Sequence, residues 1–410
     1  MFKRAIVKKL SKLITLTPVV LVNGARQTGK TTLVKQDIDS TKYTYITFDD
    51  AYSFALAKSN PQGFIESLSK PVILDEVQRV PELFIAIKKD VDEHRMPGRY
   101  ILTGSANPLL LPRLGDSLAG RMMLLDLYPL SQGELMQESE RFIDWAFSQE
   151  AYVSRGKVDT KESLYTRVVA GGYPEIQSIA PEDRDLWFEA YITTILYRNV
   201  QDIAEVEKLT EFPQLLRLLA TRVGNLLNVS EIAAASKIPV TTVKRYLALL
   251  ETIFLIKFQQ PWSSNLSSRL IKSPKVCLLD TGLLCFLLGI TTERALKNPQ
   301  LMGPILENFV LAELLKQATW NNHRVQFYHF RTTQGIEVDI LLEDAQGNRV
   351  AIEVKNSSSI ALSDFKGLAY LQELLGDTFI RGIILYTGDV PVAYNKQISA
   401  LPVSALWNTL

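Results

Sequence analysis

The chain has 410 residues, 47% apolar and 22% charged, with 45 basic side chains against 44 acidic ones. This length favours about three domains over one core, and the near-neutral balance excludes a general coat of positive charge, so any nucleic-acid contact must come from a local patch. Two cysteines and three histidines exclude a disulfide framework and a zinc-ligand spacing.

The opening MFKRAIVKKLSKLI is basic and amphipathic but lacks an apolar run with a cleavage site, so it reads as a surface helix and not a signal peptide. The longest weakly charged stretch, VCLLDTGLLCFLLGITT, contains Asp280 and is too short to span a bilayer. A cytoplasmic chain without a membrane partner is therefore expected. From residue 19, apolar strands VVLVN, YTYITF, PVILD and YILTG alternate with helical stretches, which predicts an α/β fold on a parallel sheet. After LLDLYPLSQGEL the pattern turns helical up to residue 228, through RFIDWAF, DLWFEAYITTILYRNV and FPQLLRLLATRVG, as in a helical lid. Around residues 229–258 two short helices, the second opened by Pro239, precede a strand-like FLIKF, the pattern of a winged helix-turn-helix. Beyond Asn298 and Pro299, a helix containing ILENFVLAELLKQA leads into strand-rich sequence. The expected units are 1–135, 136–210, 211–295 and 296–410.

GARQTGKT, from Gly24 to Thr31, fits the phosphate-loop pattern and lies between a strand and a helix, where that loop must lie. Gly24, Ala25, Arg26, Gln27, Thr28, Gly29, Lys30, Thr31 and Thr32 are the candidate nucleotide-binding residues, with ATP and Mg²⁺ as the expected ligands. Backbone N–H groups would wrap the phosphates, Lys30 would reach the outer ones, and the Thr31 hydroxyl would face Mg²⁺. VILDE supplies Asp75 for the metal and Glu76 to orient or deprotonate the attacking water, unless the pair is a solvated acidic turn. Thr103 and Ser105 end the next strand, where they could sense the terminal phosphate or simply cap the strand.

GARQTGKTT, PVILDEVQRVPELF, ILTGSAN and LAGRMMLLDLYPLSQGE together resemble a group of prokaryotic AAA-type ATPases whose C-terminal half is largely uncharacterised. The resemblance runs through LYRNV, the helix-turn-helix and PKVCLLDTGLL, and is strongest from 19 to 135. It implies an arginine against the terminal phosphate, from the same chain's lid or from a neighbouring subunit. Arg121 and Arg198 are the candidates, each equally able to form an ordinary salt bridge. An arginine supplied in trans implies a homo-oligomer.

Within the helix-turn-helix, Ser230 can cap the first helix. Thr241, Thr242, Lys244 and Arg245 lie near the exposed start of the second, while Val243, Tyr246, Leu247 and Leu250 pack inward. Such a unit binds DNA phosphates or another protein. Near the end, VDILLEDAQGNRVAIEVK reads as a hairpin turning at Ala345-Gln346-Gly347, so that paired residue numbers sum to 692 and Asp339 faces Glu353. Two carboxylates so close favour a shared cation, with Lys355 beside them. The hairpin resembles the PD-(D/E)XK restriction-endonuclease-like fold, in which Glu307 on the preceding helix would add a metal ligand to Asp339 and Glu353. No proline precedes Asp339, which departs from the motif, and the same charges can instead be satisfied as ion pairs.

The expected function is hydrolysis of ATP coupled to handling of DNA, possible branched DNA included, by the C-terminal module. The alternatives are an ATP-gated restriction-like nuclease in defence or repair, and a nucleotide-dependent protein-interaction switch with an inactive nuclease fold.

Overall fold

A computed structural model describes residues 2–38, 41–106, 118–154, 158–203, 211–263 and 273–409, with side chains omitted at 195–203. Strands β1 (Val19–Asn23), β2 (Thr44–Thr47), β3 (Val72–Asp75), β4 (Tyr100–Gly104) and β5 (Met122–Asp126) form a parallel sheet in the order β2-β3-β4-β1-β5. Side chains alternate across a strand, and both faces are covered, which explains the unbroken apolar runs. Val19, Leu21, Val72, Leu74, Tyr100 and Leu102 share one core with α5 (Leu83–Glu93). Val20, Val22, Ile73 and Ile101 face the other way, against α1 (Val7–Leu16) and α2 (Lys30–Gln36). Helices α3 (Ala51–Ser59) and α4 (Pro61–Ser67) fill the crossover from β2 to β3. The registers Asn23↔Gly104 and Thr47↔Asp75 bring the ends of these strands to one edge, beside the phosphate loop.

The helical stretch follows as α6 (Gln132–Met136), α7 (Phe142–Ala146), α8 (Lys161–Ala170), α9 (Arg184–Ile203) and α10 (Phe212–Ala220). A capping box between Ser131 and Glu134 opens α6. Next come α11 (Val229–Ser236), α12 (Val240–Thr252) and the antiparallel pair β6 (Ile256–Pro261) and β7 (Lys275–Leu278). Leu226 bridges to Lys275, so the segment before α11 pairs with β7. Asn228, and not the expected Ser230, caps α11 by accepting from the Glu231 N–H at 3.2 Å.

The pair β6 and β7 does not end a domain. Among the described residues it forms one edge of an eight-stranded sheet with β8 (Val325–Arg331), β9 (Glu337–Asp344), β10 (Arg349–Lys355), β11 (Phe379–Tyr386), β12 (Val392–Ala393) and β13 (Ile398–Pro402). The junction is parallel, with Gln260 opposite Tyr328 and Pro261 opposite His329. A boundary near 295 therefore falls inside one sheet. One apolar cluster likewise runs from Phe142 through Phe212 and Tyr246 to Trp407, joining the expected lid, helix-turn-helix and C-terminal units.

The helix Met302–Gln317 lies at the centre of this core and is buried on nearly every side. Its polar side chains are held by partners in several elements and, for Glu313 and Lys316, also by each other. Asn308 exchanges two hydrogen bonds with Leu278 of β7, and Gln317 donates to the Leu406 carbonyl at 2.7 Å. Glu313 accepts from the Gln132 N–H at 2.8 Å, and Lys316 donates to Glu313 at 2.6 Å and to the Leu130 carbonyl at 3.0 Å.

Glu313 is fully buried, so removing its cation leaves an uncompensated charge. Lys316→Met is expected to lower unfolding stability by about 3–5 kcal/mol, and adding Glu313→Gln to recover most of it, measured by urea unfolding. Equal stability of Lys316→Met and the native chain would contradict this role.

Candidate nucleotide site and carboxylate cluster

The phosphate loop is shaped by two glycines. Gly24 (φ +156°) crosses the end of β5 so closely that a Cβ would lie 2.1 Å from the Leu127 carbonyl oxygen. Gly29 (φ +90°) sits in the left-handed region at the start of α2. Thr28 donates to the Ala25 carbonyl at 2.9 Å, and Lys30 spans the loop by donating to Gly24 at 3.0 Å and Ala25 at 2.7 Å. Arg26 is half-buried and its carbonyl meets the Tyr191 hydroxyl of α9 at 3.4 Å, while Gln27 and Thr32 are exposed.

The end of β3 places Asp75 and Glu76 beside the phosphate loop. The Thr31 hydroxyl lies 3.1 Å from both oxygens of Asp75. Tyr45 donates to the same carboxylate at 2.6 Å, and Thr103 donates to its other oxygen. Thr103 also accepts from the Glu76 N–H at 3.1 Å. Glu76 adopts a left-handed backbone (φ +61°), and its carboxylate is held by Gln78 and approached by the Ser105 hydroxyl at 3.5 Å. Thr103 and Ser105 thus serve the acidic pair directly. Burial lowers the Lys30 ammonium to about 8, against the pull of Glu76 and Asp75. Burial, then the bond to Asp75, holds the Tyr45 phenol well above its ordinary value.

Arg4, Tyr45 and Gln78 are not signalled by any local motif. Arg4 donates to the Thr28 carbonyl and the Tyr128 carbonyl, each at 2.7 Å, and to Glu134 at 3.0 Å, so it braces the loop from behind. Tyr45 was readable only through alternation along β2, since Thr47 two residues on pairs with Asp75.

The expected arginine is corrected within one chain. Arg121 lies at the start of β5, level with Val19 and so at the opposite end of the sheet from the phosphate loop. Its guanidinium pairs with Asp92 of α5, at 3.0 Å for one bond. The Arg198 side chain lies outside the described residues.

The hairpin register is as expected: Arg349↔Glu343, Val350↔Leu342, Ala351↔Leu341 and Ile352↔Ile340 each sum to 692, and Gly347 is left-handed (φ +83°). The carboxylates of this region meet cations of the chain itself. Lys275, from β7, donates to Glu307 at 2.9 Å and Glu337 at 2.8 Å and lies 3.8 Å from Asp339. The other Asp339 oxygen accepts from the Val354 N–H at 2.9 Å, and Glu353 accepts from Lys355 at 2.7 Å. Among the described residues no three acidic, imidazole or thiol side chains converge with metal-ligand geometry. Burial first, then Asp339, pushes Glu307 up to about 8 and Glu353 up to about 7. Burial alone would lower Lys275, but Glu307 and Asp339 raise it well above its usual range, so it stays charged. The one hint in the sequence was a lone lysine opening the apolar run KVCLL.

On α12, Val243, Tyr246, Leu247 and Leu250 are buried, whereas Thr241, Lys244, Arg245 and Ala248 are exposed. Thr242 is half-buried. None of the described helices is long and apolar enough to cross a membrane.

Residues 16–136 match the family model of an AAA domain. They form a P-loop ATPase domain of the AAA type. Residues 161–294 match a domain of unknown function (DUF8612) and residues 302–406 another (DUF4143). An uncharacterised protein of Mycobacterium tuberculosis is 29% identical over 408 residues, covering 99% of this chain and 85% of its own. An uncharacterised Haemophilus influenzae protein is 23% identical over 323 residues, covering 73% of this chain and 74% of its own. The fold is similar to a Walker-type ATPase of Pyrococcus abyssi, with 16% identity and a TM-score of 0.41 over 70% of this chain and 96% of that one. It is also similar to the Thermotoga maritima RuvB Holliday junction branch migration motor, with 18% identity and a TM-score of 0.28 over 65% and 94%. In the ATPase domain, the donor set of Lys30, Thr31 and Asp75 fits a nucleotide with its divalent cation.

The lowered Lys30 gives a direct test. At about pH 8.5 much of Lys30 is neutral in the free chain, and phosphates restore the charge, so ATP binding takes up part of a proton. Titration calorimetry in two buffers of different ionisation enthalpy measures this uptake, which shrinks towards pH 7. Zero uptake at pH 8.5 would contradict it.

Proposed function

We propose that the chain hydrolyses ATP at its phosphate loop and uses the cycle to rearrange a DNA-binding C-terminal part. The observation that carries the hydrolytic half is the convergence of Lys30, Thr31, Asp75 and Glu76 at one sheet edge, with Tyr45 and Thr103 fixing Asp75. Mg²⁺, when bound to Thr31 and Asp75, would neutralise charge developing on the phosphates. Glu76 accepts the proton of the attacking water, ADP and phosphate leave, and Lys30 balances the outer phosphates. Gln78, which links Glu76 to Ser105, ties the base to the end of β4, where the terminal phosphate would lie.

Arg121 would complete the site of a neighbouring subunit, which makes the working form a homo-oligomer. Its place far from its own phosphate loop favours this trans reading.

The DNA half is supported by the three helices α10, α11 and α12 followed by the β6 and β7 hairpin, an arrangement that fits a winged helix-turn-helix. Thr241, Lys244 and Arg245 would meet the phosphates. Cleavage by the carboxylate cluster and a purely protein-binding role are the competing readings of this half.

Lys30→Ala is expected to abolish hydrolysis, and Glu76→Gln to slow it by about 10²–10⁴-fold. Arg121→Ala alone is inactive, but mixing it with Lys30→Ala restores activity, because mixed oligomers contain interfaces with both native residues. Failure of the mixture to recover removes the trans arginine. For DNA, fluorescence anisotropy on single-stranded, duplex and branched substrates should show affinity falling steeply with salt, with a slope reduced by about 2 in Lys244→Ala/Arg245→Ala. No binding to any substrate at low salt removes the DNA half while leaving the ATPase half standing.

A further inference from the structure

We infer that Lys275 is the resident cation of the C-terminal carboxylate cluster, which makes this cluster a metal-independent joint between the β6–β7 hairpin and the C-terminal sheet instead of a cleaving centre. A likeness to a metal-dependent nuclease implies a divalent ion among Glu307, Asp339 and Glu353. That place is already taken by an ammonium of this chain. One oxygen of Asp339 is taken by the Val354 N–H, one oxygen of Glu353 is taken by Lys355 while the other, Oε2, is buried without a hydrogen-bond partner, and Glu307 faces Lys275. A hard divalent cation would need carboxylate oxygens free to approach to roughly 2.0–2.6 Å, with water completing its shell. Here the Lys275 ammonium stands among the oxygens of Glu307, Glu337 and Asp339.

Lys275 is not a loose surface lysine that a metal could push aside. Its side chain is 3% exposed, and its backbone is fixed on two sides, by Gln259 of β6 and by the bridge to Leu226. The hairpin therefore carries its own positive charge into a cluster contributed by the central helix and β9. Divalent metal could enter only if β7 withdrew. With the lysine in place, the joint ties the segment preceding α11 to the C-terminal sheet without any metal.

The joint is tested on the full chain carrying Asp75→Asn, which removes the metal-binding carboxylate of the ATPase domain, with no nucleotide present. Manganese binding is followed by electron paramagnetic resonance, and thermal unfolding with EDTA or Mn²⁺. The expected result is no Mn²⁺ at the cluster and a Tm indifferent to both additions. Lys275→Met should lower Tm by on the order of 10 °C and gain one Mn²⁺ site that restores part of the loss. Lys275→Arg, which keeps the charge, should remain blind to Mn²⁺. If Lys275→Met does not fold, adding Glu307→Gln should recover folding by relieving carboxylate repulsion, and no recovery counts against the joint. Stoichiometric Mn²⁺ binding with Lys275 intact, lost on Glu353→Gln, would overturn the inference, as would a Lys275→Met chain as stable as its parent.

Discussion

Burying one helix on all sides is the constraint on which most of this chain depends. Over its 16 residues, about 24 Å, Met302–Gln317 has almost no face left for water, so each polar side chain on it must find a partner in another element. Glu307 finds Lys275, Asn308 finds Leu278, Glu313 finds Gln132 and Lys316, and Gln317 finds Leu406. These partners lie between residues 130 and 406. An unpaired charge at any of them would cost several kcal/mol, so the pairings fix where the surrounding units sit.

The same helix lies close to the nucleotide site. Arg4 hydrogen-bonds the Thr28 carbonyl of the phosphate loop and Glu134 of α6; Glu134 in turn accepts from the Ser131 N–H. One residue further, the Gln132 N–H reaches Glu313. An unbroken run of polar contacts therefore joins the phosphate loop to the central helix, whose other end holds the hairpin lysine. Buried links of this kind have few alternative geometries, so they hold the loop and the helix in a fixed relation.

The parts that were readable in the sequence depend on neighbours along the chain. Strands β1 to β4 announce themselves as apolar runs ended by glycine, asparagine or acid, and the hairpin register follows from a three-residue turn with glycine at its left-handed position. The phosphate-loop motif places Lys30 and Thr31 because its chemistry is local. Strand β5 is less legible, since Met122, Met123 and Leu124 are partly exposed and mix into a charged approach. What failed depends on residues distant in sequence. Nothing near Glu307 or Asp339 reveals that a lysine from another strand stands between them. Nothing near Arg121 reveals Asp92. The division at 295, read from Asn298 and Pro299, falls at the change between two family signatures, but nothing local reveals that the strands on either side of it pair.

That shared sheet has a consequence for inheritance. Two family signatures meet between residues 294 and 302, yet β6 on one side hydrogen-bonds β8 on the other. A gene fragment ending at this seam would encode a two-stranded ribbon without its neighbour, and its complement would leave the β8 edge bare, of the kind that drives aggregation. The two signatures are separate in sequence, but in the folded chain they share one sheet and would be expected to fold together.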